Sequence, residues 1–116
     1  MTLKECYTAL GGDYAQVIQR LKKETIVIHF IKLFIQEDLY EKLTNALAAD
    51  DVHTAFRAAH SLKGNCMSLE FTQLHKAAQT ITEPLRNGYM DKAFELLEPL
   101  AKEYERTVNI LQQLDK

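Results

Sequence analysis

This sequence predicts an all-α fold, an antiparallel four-helix bundle with short additional N-terminal helices, on three observations. Glycine and proline are scarce, four and two in 116 residues, so few positions punctuate the chain. No run alternates apolar and polar residues long enough to make a strand. Apolar residues recur instead three and four positions apart through most of the length, the spacing of one face of a helix.

Taken in order, Thr2-Leu3-Lys4-Glu5 has the form of a capping box and opens a short helix that Gly11-Gly12 should end. Asp13 is placed to cap a second short helix through about Leu21, with Tyr14, Val17, Ile18 and Leu21 on one face. The stretch from Glu24 to Gln36 is apolar on nearly every side, which predicts a central bundle helix with His29 hydrogen-bonded inside the core. Leu39, Leu43, Ala46 and Leu47 keep helical spacing to Ala49-Asp50, either as a continuation after a bend or as a separate helix. Asp51 caps a helix to about Leu69, and Thr72 caps the next, which carries Leu74, Ala77, Ala78, Ile81 and Leu85 inward until Asn87-Gly88. The last helix starts near Asp91 and turns Phe94, Leu97, Leu100, Tyr104, Val108, Leu111 and Leu114 inward. Pro84 and Pro99 should kink the last two helices.

One domain spanning 1–116 is expected, with residues 1–22 as a helical cover and 24–115 as the bundle. Hydrophobic residues make up 47% and charged residues 26%, the mix of a folded globular chain. A net charge of −2 offers no broad basic surface for a nucleic-acid backbone. The longest apolar run is broken by His29 and Lys32 and is too short to span a bilayer, and no secretory signal is visible, so a cytoplasmic protein off the membrane is expected. Cys6 and Cys66 match no metal or redox spacing and read as reduced, partly buried thiols.

The helix from Asp51 to Leu69 carries the chemistry. At about 100° per residue, Ala55, Ala58, Ala59, Leu62, Cys66 and Leu69 gather on one side, the core side. His60 points away from it, and around it stack His53, Phe56, Arg57, Lys63, Gly64 and Met67. Arg57 and Lys63 place cations near any anion on the imidazole. Gly64 clears space for an approaching protein, while Phe56, Met67 and His53 make a docking surface, with Phe56 and Met67 reading equally as the edge of the core. A neutral imidazole is nucleophilic near pH 7 and forms a phosphoramidate that stays reactive.

Ala59-His60-Ser61-Leu62-Lys63-Gly64 resembles the signature of histidine-containing phosphotransfer (HPt) domains. Phe30, Phe34, Leu43, Asp50, Ala55, Leu74 and Glu83 extend the likeness over most of residues 24–115. The resemblance implies His60 as the phosphosite, response-regulator receiver domains as partners with a hybrid sensor histidine kinase as a further one, and no cofactor, Mg²⁺ being expected on the receiver. It also implies a phosphoryl carrier without ATP-dependent kinase activity, and neither a Walker A sequence nor a G-x-G-x-x-G loop is present. The Met1 start and the absence of a linker lead to the expectation of a free-standing protein. Two departures stand out: Glu70 replaces a common glycine ten residues after the histidine, and Thr82 falls where relatives often hold a ring nitrogen with glutamine.

Two readings from other classes compete. A helical adaptor with no relay role would explain the bundle and the Phe56/Met67 patch but not Lys63-Gly64 beside His60. A metal site using His53 and His60 lacks the Glu-x-x-His pairs of metal-binding bundles, and no metal ligand is assigned.

Overall fold

Seven helices occupy the described residues, 1–115, of the computed structural model. They are α1 (Leu3–Leu10), α2 (Tyr14–Leu21), α3 (Glu24–Glu37), α4 (Leu39–Ala48), α5 (Val52–Ser68), α6 (Thr72–Arg86) and α7 (Met90–Leu111). Polar side chains begin several of them by accepting the free amides of a first turn. Thr2 and Glu5 exchange both bonds of the capping box, 3.2 and 2.8 Å. Asp13 accepts from Gln16 N at 3.0 Å, and Asp51 accepts from the amide and the hydroxyl of Thr54 at 3.1 and 2.7 Å.

The break between α3 and α4 is a single residue. Asp38 sits in the left-handed region, φ 53°, which no helix continues, and its carboxylate caps α4 through Glu41 N. The expected cap at Thr72 is corrected: Phe71 occupies the cap position without a side-chain bond, and Thr72 is the first helical residue. Helices α6 and α7 run through Pro84 and Pro99.

Helices α4 to α7 form the bundle, each packed on the next, with three-residue connections reversing the chain. The core holds the whole stripe expected on α5, all six residues no more than 7% exposed. On α7 the buried side runs through Ala93, Leu100, Thr107 and Leu111. Phe94, expected inward, is 49% exposed because Ala93 takes the core position and Phe94 lies about 100° round from it.

Helices α1 and α2 lie across the end of the bundle where α5 turns into α6. Tyr7 donates its hydroxyl to the Leu69 carbonyl at 2.7 Å and packs its ring on Phe71. The Asp13 amide donates to the Glu70 carbonyl at 3.2 Å. Arg20 donates to the Met67 and Ser68 carbonyls at 3.2 and 2.7 Å, satisfying the open end of α5, and pairs with Glu70 at 2.9 Å. Glu70 has φ 59°, so the turn keeps the left-handed conformation that glycine adopts freely, here in a residue tied to the cover.

Helix α3 corrects the sequence expectation of a fully buried element. Val27, Ile31 and Phe34 face inward, but Ile26, Phe30 and Leu33 are 40 to 43% exposed, and His29 is on the surface. A run apolar all round carries no signal for which side stays open, and α3 is covered on one side only.

Candidate functional site

Helix α5 turns its alanine-rich side into the core, and the opposite side is left to solvent. His60 is exposed near the middle of that open side. Its imidazole stacks on the ring of Phe56 one turn earlier, with centroids 5.7 Å apart and planes at 24°. Phe56 is half-buried and packed against the core, while His53 is exposed and Met67 is 55% exposed.

Lys63 is half-buried and Arg57 exposed, and neither has an ion-pair partner among the described residues. Both cations remain uncommitted beside His60. Arg57, with His53, also helps hold the Asp51 carboxyl below the ordinary carboxylate range, although the larger cause is the pair of hydrogen bonds from Thr54. A Cβ placed on Gly64 would meet nothing within 4 Å, so the space above it is open.

Thr82 does not reach the imidazole. It is fully buried, and its hydroxyl donates to the Ala78 carbonyl at 2.6 Å, within its own helix. A short β-branched side chain facing the core has no length to turn outward. Among the described residues no hydrogen bond holds the His60 ring, and no group of three or more His, Cys, Asp or Glu side chains is arranged to hold a metal ion.

Two features of the site were not read from the sequence. One is a groove of about 470 Å³ between α2, α3 and α5, walled by Leu21, Phe30 and Leu33, floored near Asn65 and Ser68, with Arg20 and Glu37 at its polar margins. Asn65 donates to Glu37 at 3.3 Å across it. Ser68 lies one turn beyond Gly64 and more than two turns along α5 from His60, and the side chains around His60 do not line the groove. The excess of apolar residues on α3 was its only trace in sequence. The other is Arg86, whose guanidinium carbon lies 5.5 Å from the centre of the Phe56 ring. The α5–α6 hairpin brings residues roughly equidistant from its turn side by side, and that register offered the only way to find the pair.

An imidazole raised on an open helix face, with cations and clearance beside it, suits group transfer to another protein rather than catalysis on a small molecule in a cleft. The family model of the Hpt domain matches residues 30–115. No curated protein and no solved structure matches the chain. The match covers most of the sequence, and the chain belongs to the Hpt family, which serves histidine phosphotransfer in phosphorelays. Family members are phosphocarriers that interact with receiver domains and kinases. Helices α1 and α2 lie outside the matched segment. Among the described residues no helix is long and apolar enough to cross a membrane.

Proposed function

We propose that the protein carries a phosphoryl group on His60 between receiver domains of a two-component phosphorelay. The supporting observation is the open side of α5, where an exposed imidazole stands with Lys63 and Arg57 unpaired and the space over Gly64 empty. In transfer, a ring nitrogen lone pair attacks phosphorus on a phosphorylated receiver carboxylate. The P–O bond breaks, the carboxylate leaves with its electron pair, and a P–N bond forms. Lys63, one turn from His60, attracts the phosphoryl oxygens, and Arg57 adds charge from the other side. Mg²⁺ belongs on the receiver, and the chain supplies no cofactor of its own.

The receiver docks over Gly64, Met67 and His53 and covers the exposed apolar side chains Phe30 and Leu33 at the groove. Exposed apolar side chains gathered at a concave site are what such a partner buries. The test is incubation with a phosphorylated receiver, with the label located by mass spectrometry and checked for acid lability. His60→Gln should abolish labelling while keeping the helical spectrum. An acid-labile label that persists in that variant would sink the assignment.

A further inference from the structure

We infer that Phe56 is a positioning residue for His60, its ring setting the plane of the imidazole and Arg86 pinning that ring from α6. The inference rests on the reading of His60 as the phosphosite and deepens it.

An exposed histidine turns freely about its ring torsion, which is broad and roughly two-fold. In-line attack needs the opposite, a nitrogen lone pair held in a fixed direction toward phosphorus. The side chain that the family likeness would put beside the ring, Thr82, commits its hydroxyl to Ala78. The ring stacked beside the imidazole is that of Phe56, with centroids 5.7 Å apart and planes at 24°.

Phe56 is fixed from two directions. Half of it packs against the core, and the Arg86 guanidinium lies 5.5 Å from its centre. Arg86 is steadied in turn by Glu83, one helical turn earlier, at 3.6 Å. Stacking fixes the plane of a ring without bonding to its nitrogens. Both His60 nitrogens therefore stay open at the edge of the ring, one to attack and the other to exchange its proton with water.

The test uses Phe56→Leu, which keeps apolar bulk but removes the aromatic face, Phe56→Tyr, which restores the face, and Arg86→Gln, which removes the cation. Two readouts separate positioning from packing. The first is the NMR shift of the His60 ring protons, identified by their loss in His60→Gln. A stacked phenyl ring displaces them, and Phe56→Leu should return them to the position of an isolated histidine while Phe56→Tyr does not. The second is single-turnover transfer from a phosphorylated receiver over a range of receiver concentrations. Phe56→Leu should lower the rate at saturation by about 2- to 12-fold, the worth of an aromatic pair, and leave the half-saturating concentration unchanged. Phe56→Tyr should recover most of that rate, and Arg86→Gln should lower it in the same direction by a smaller factor.

A saturating rate equal to wild type in Phe56→Leu overturns the inference, and so does a defect confined to the half-saturating concentration, which would make Phe56 a docking residue. If Phe56→Leu fails to fold, the exposed Arg86→Gln decides, and a wild-type rate and unmoved ring protons in that variant overturn the inference. Wild-type protein that takes no label at His60 overturns the phosphosite reading and the positioning role together. A labelled wild type with an indifferent Phe56→Leu overturns the positioning role alone.

Discussion

Replacing Gly64 by alanine separates what the helix needs from what the partner needs. Gly64 lies inside α5, where glycine costs up to about 1 kcal/mol relative to alanine because it has more backbone freedom to lose. The added methyl would meet no atom within 4 Å, so no packing penalty offsets the gain. Unfolding entropy of about 2.1 cal/mol/K per residue gives roughly 0.24 kcal/mol/K for this chain, so Tm should rise by up to about 4 °C. Transfer should slow, because the methyl occupies space the receiver approaches through. Gly64→Gln should slow it by more than about tenfold, the equivalent of a clash of about 1.4 kcal/mol, with the bundle still folded. Calorimetry and single-turnover transfer on the three proteins decide it. A lower Tm in Gly64→Ala would refute the open-space argument, and a wild-type rate in Gly64→Gln would refute the clearance role.

Lys63→Ala should slow transfer by about tenfold at low salt without eliminating it, and the deficit should shrink as salt screens the lost charge; an unchanged rate at low salt counts against Lys63. Gly12→Ala should behave oppositely to Gly64→Ala. Its methyl would lie 2.5 Å from the Glu70 carbonyl oxygen and 3.0 Å from the Tyr7 ring, so a loss of about 2 kcal/mol or more is expected in urea unfolding, and wild-type stability would refute that contact. Burial raises both the Cys66 thiol and the Tyr7 hydroxyl above their ordinary ranges. The native state then holds protons that the unfolded state releases above about pH 8.5 for the thiol and pH 10 for the phenol. Stability from these groups is complete below those values and falls as pH rises through them, so denaturant midpoints should decline above about pH 9. Midpoints that stay flat to pH 11 would contradict the burial of these groups.

Much of α5 was legible because its sequence is lopsided. Small and apolar residues recur on one side only, so the same count that buries Ala59 and Leu62 turns His60 outward. The capping side chains Thr2, Asp13 and Asp51 were legible for a local reason, since each acts within three residues of itself. Helix α3 was not, because a residue such as Phe30 in a run apolar all round is buried or bare according to what packs beside it. His29 was misplaced by the same ambiguity. The Thr82 hydroxyl and the contact of Arg86 with Phe56 depend on how two helices register against each other, which no spacing within either one encodes.

The seat of the N-terminal cover also constrains the order in which the molecule assembles. Tyr7 and its acceptor Leu69 are 62 positions apart in the chain, and Arg106, which donates to the Ala9 and Leu10 carbonyls, is separated from them by 97 and 96. The α5–α6 hairpin closes over three residues, whereas the cover, beyond its local packing of α2 on α3, reaches Leu69 and Arg106 only once that hairpin has turned and α7 has returned beside it. Loop closure therefore favours the bundle first, with the cover condensing onto it afterwards. Its contacts then belong to the late side of the folding barrier, where they slow escape from the native state and leave the rate of reaching it nearly untouched. Kinetic φ values near zero at Tyr7 and Arg20 are the mark of that order, and values near one would reverse it. In this arrangement the segment outside the family match acts as a latch on the lifetime of the fold, placed at the end of the helix that presents His60.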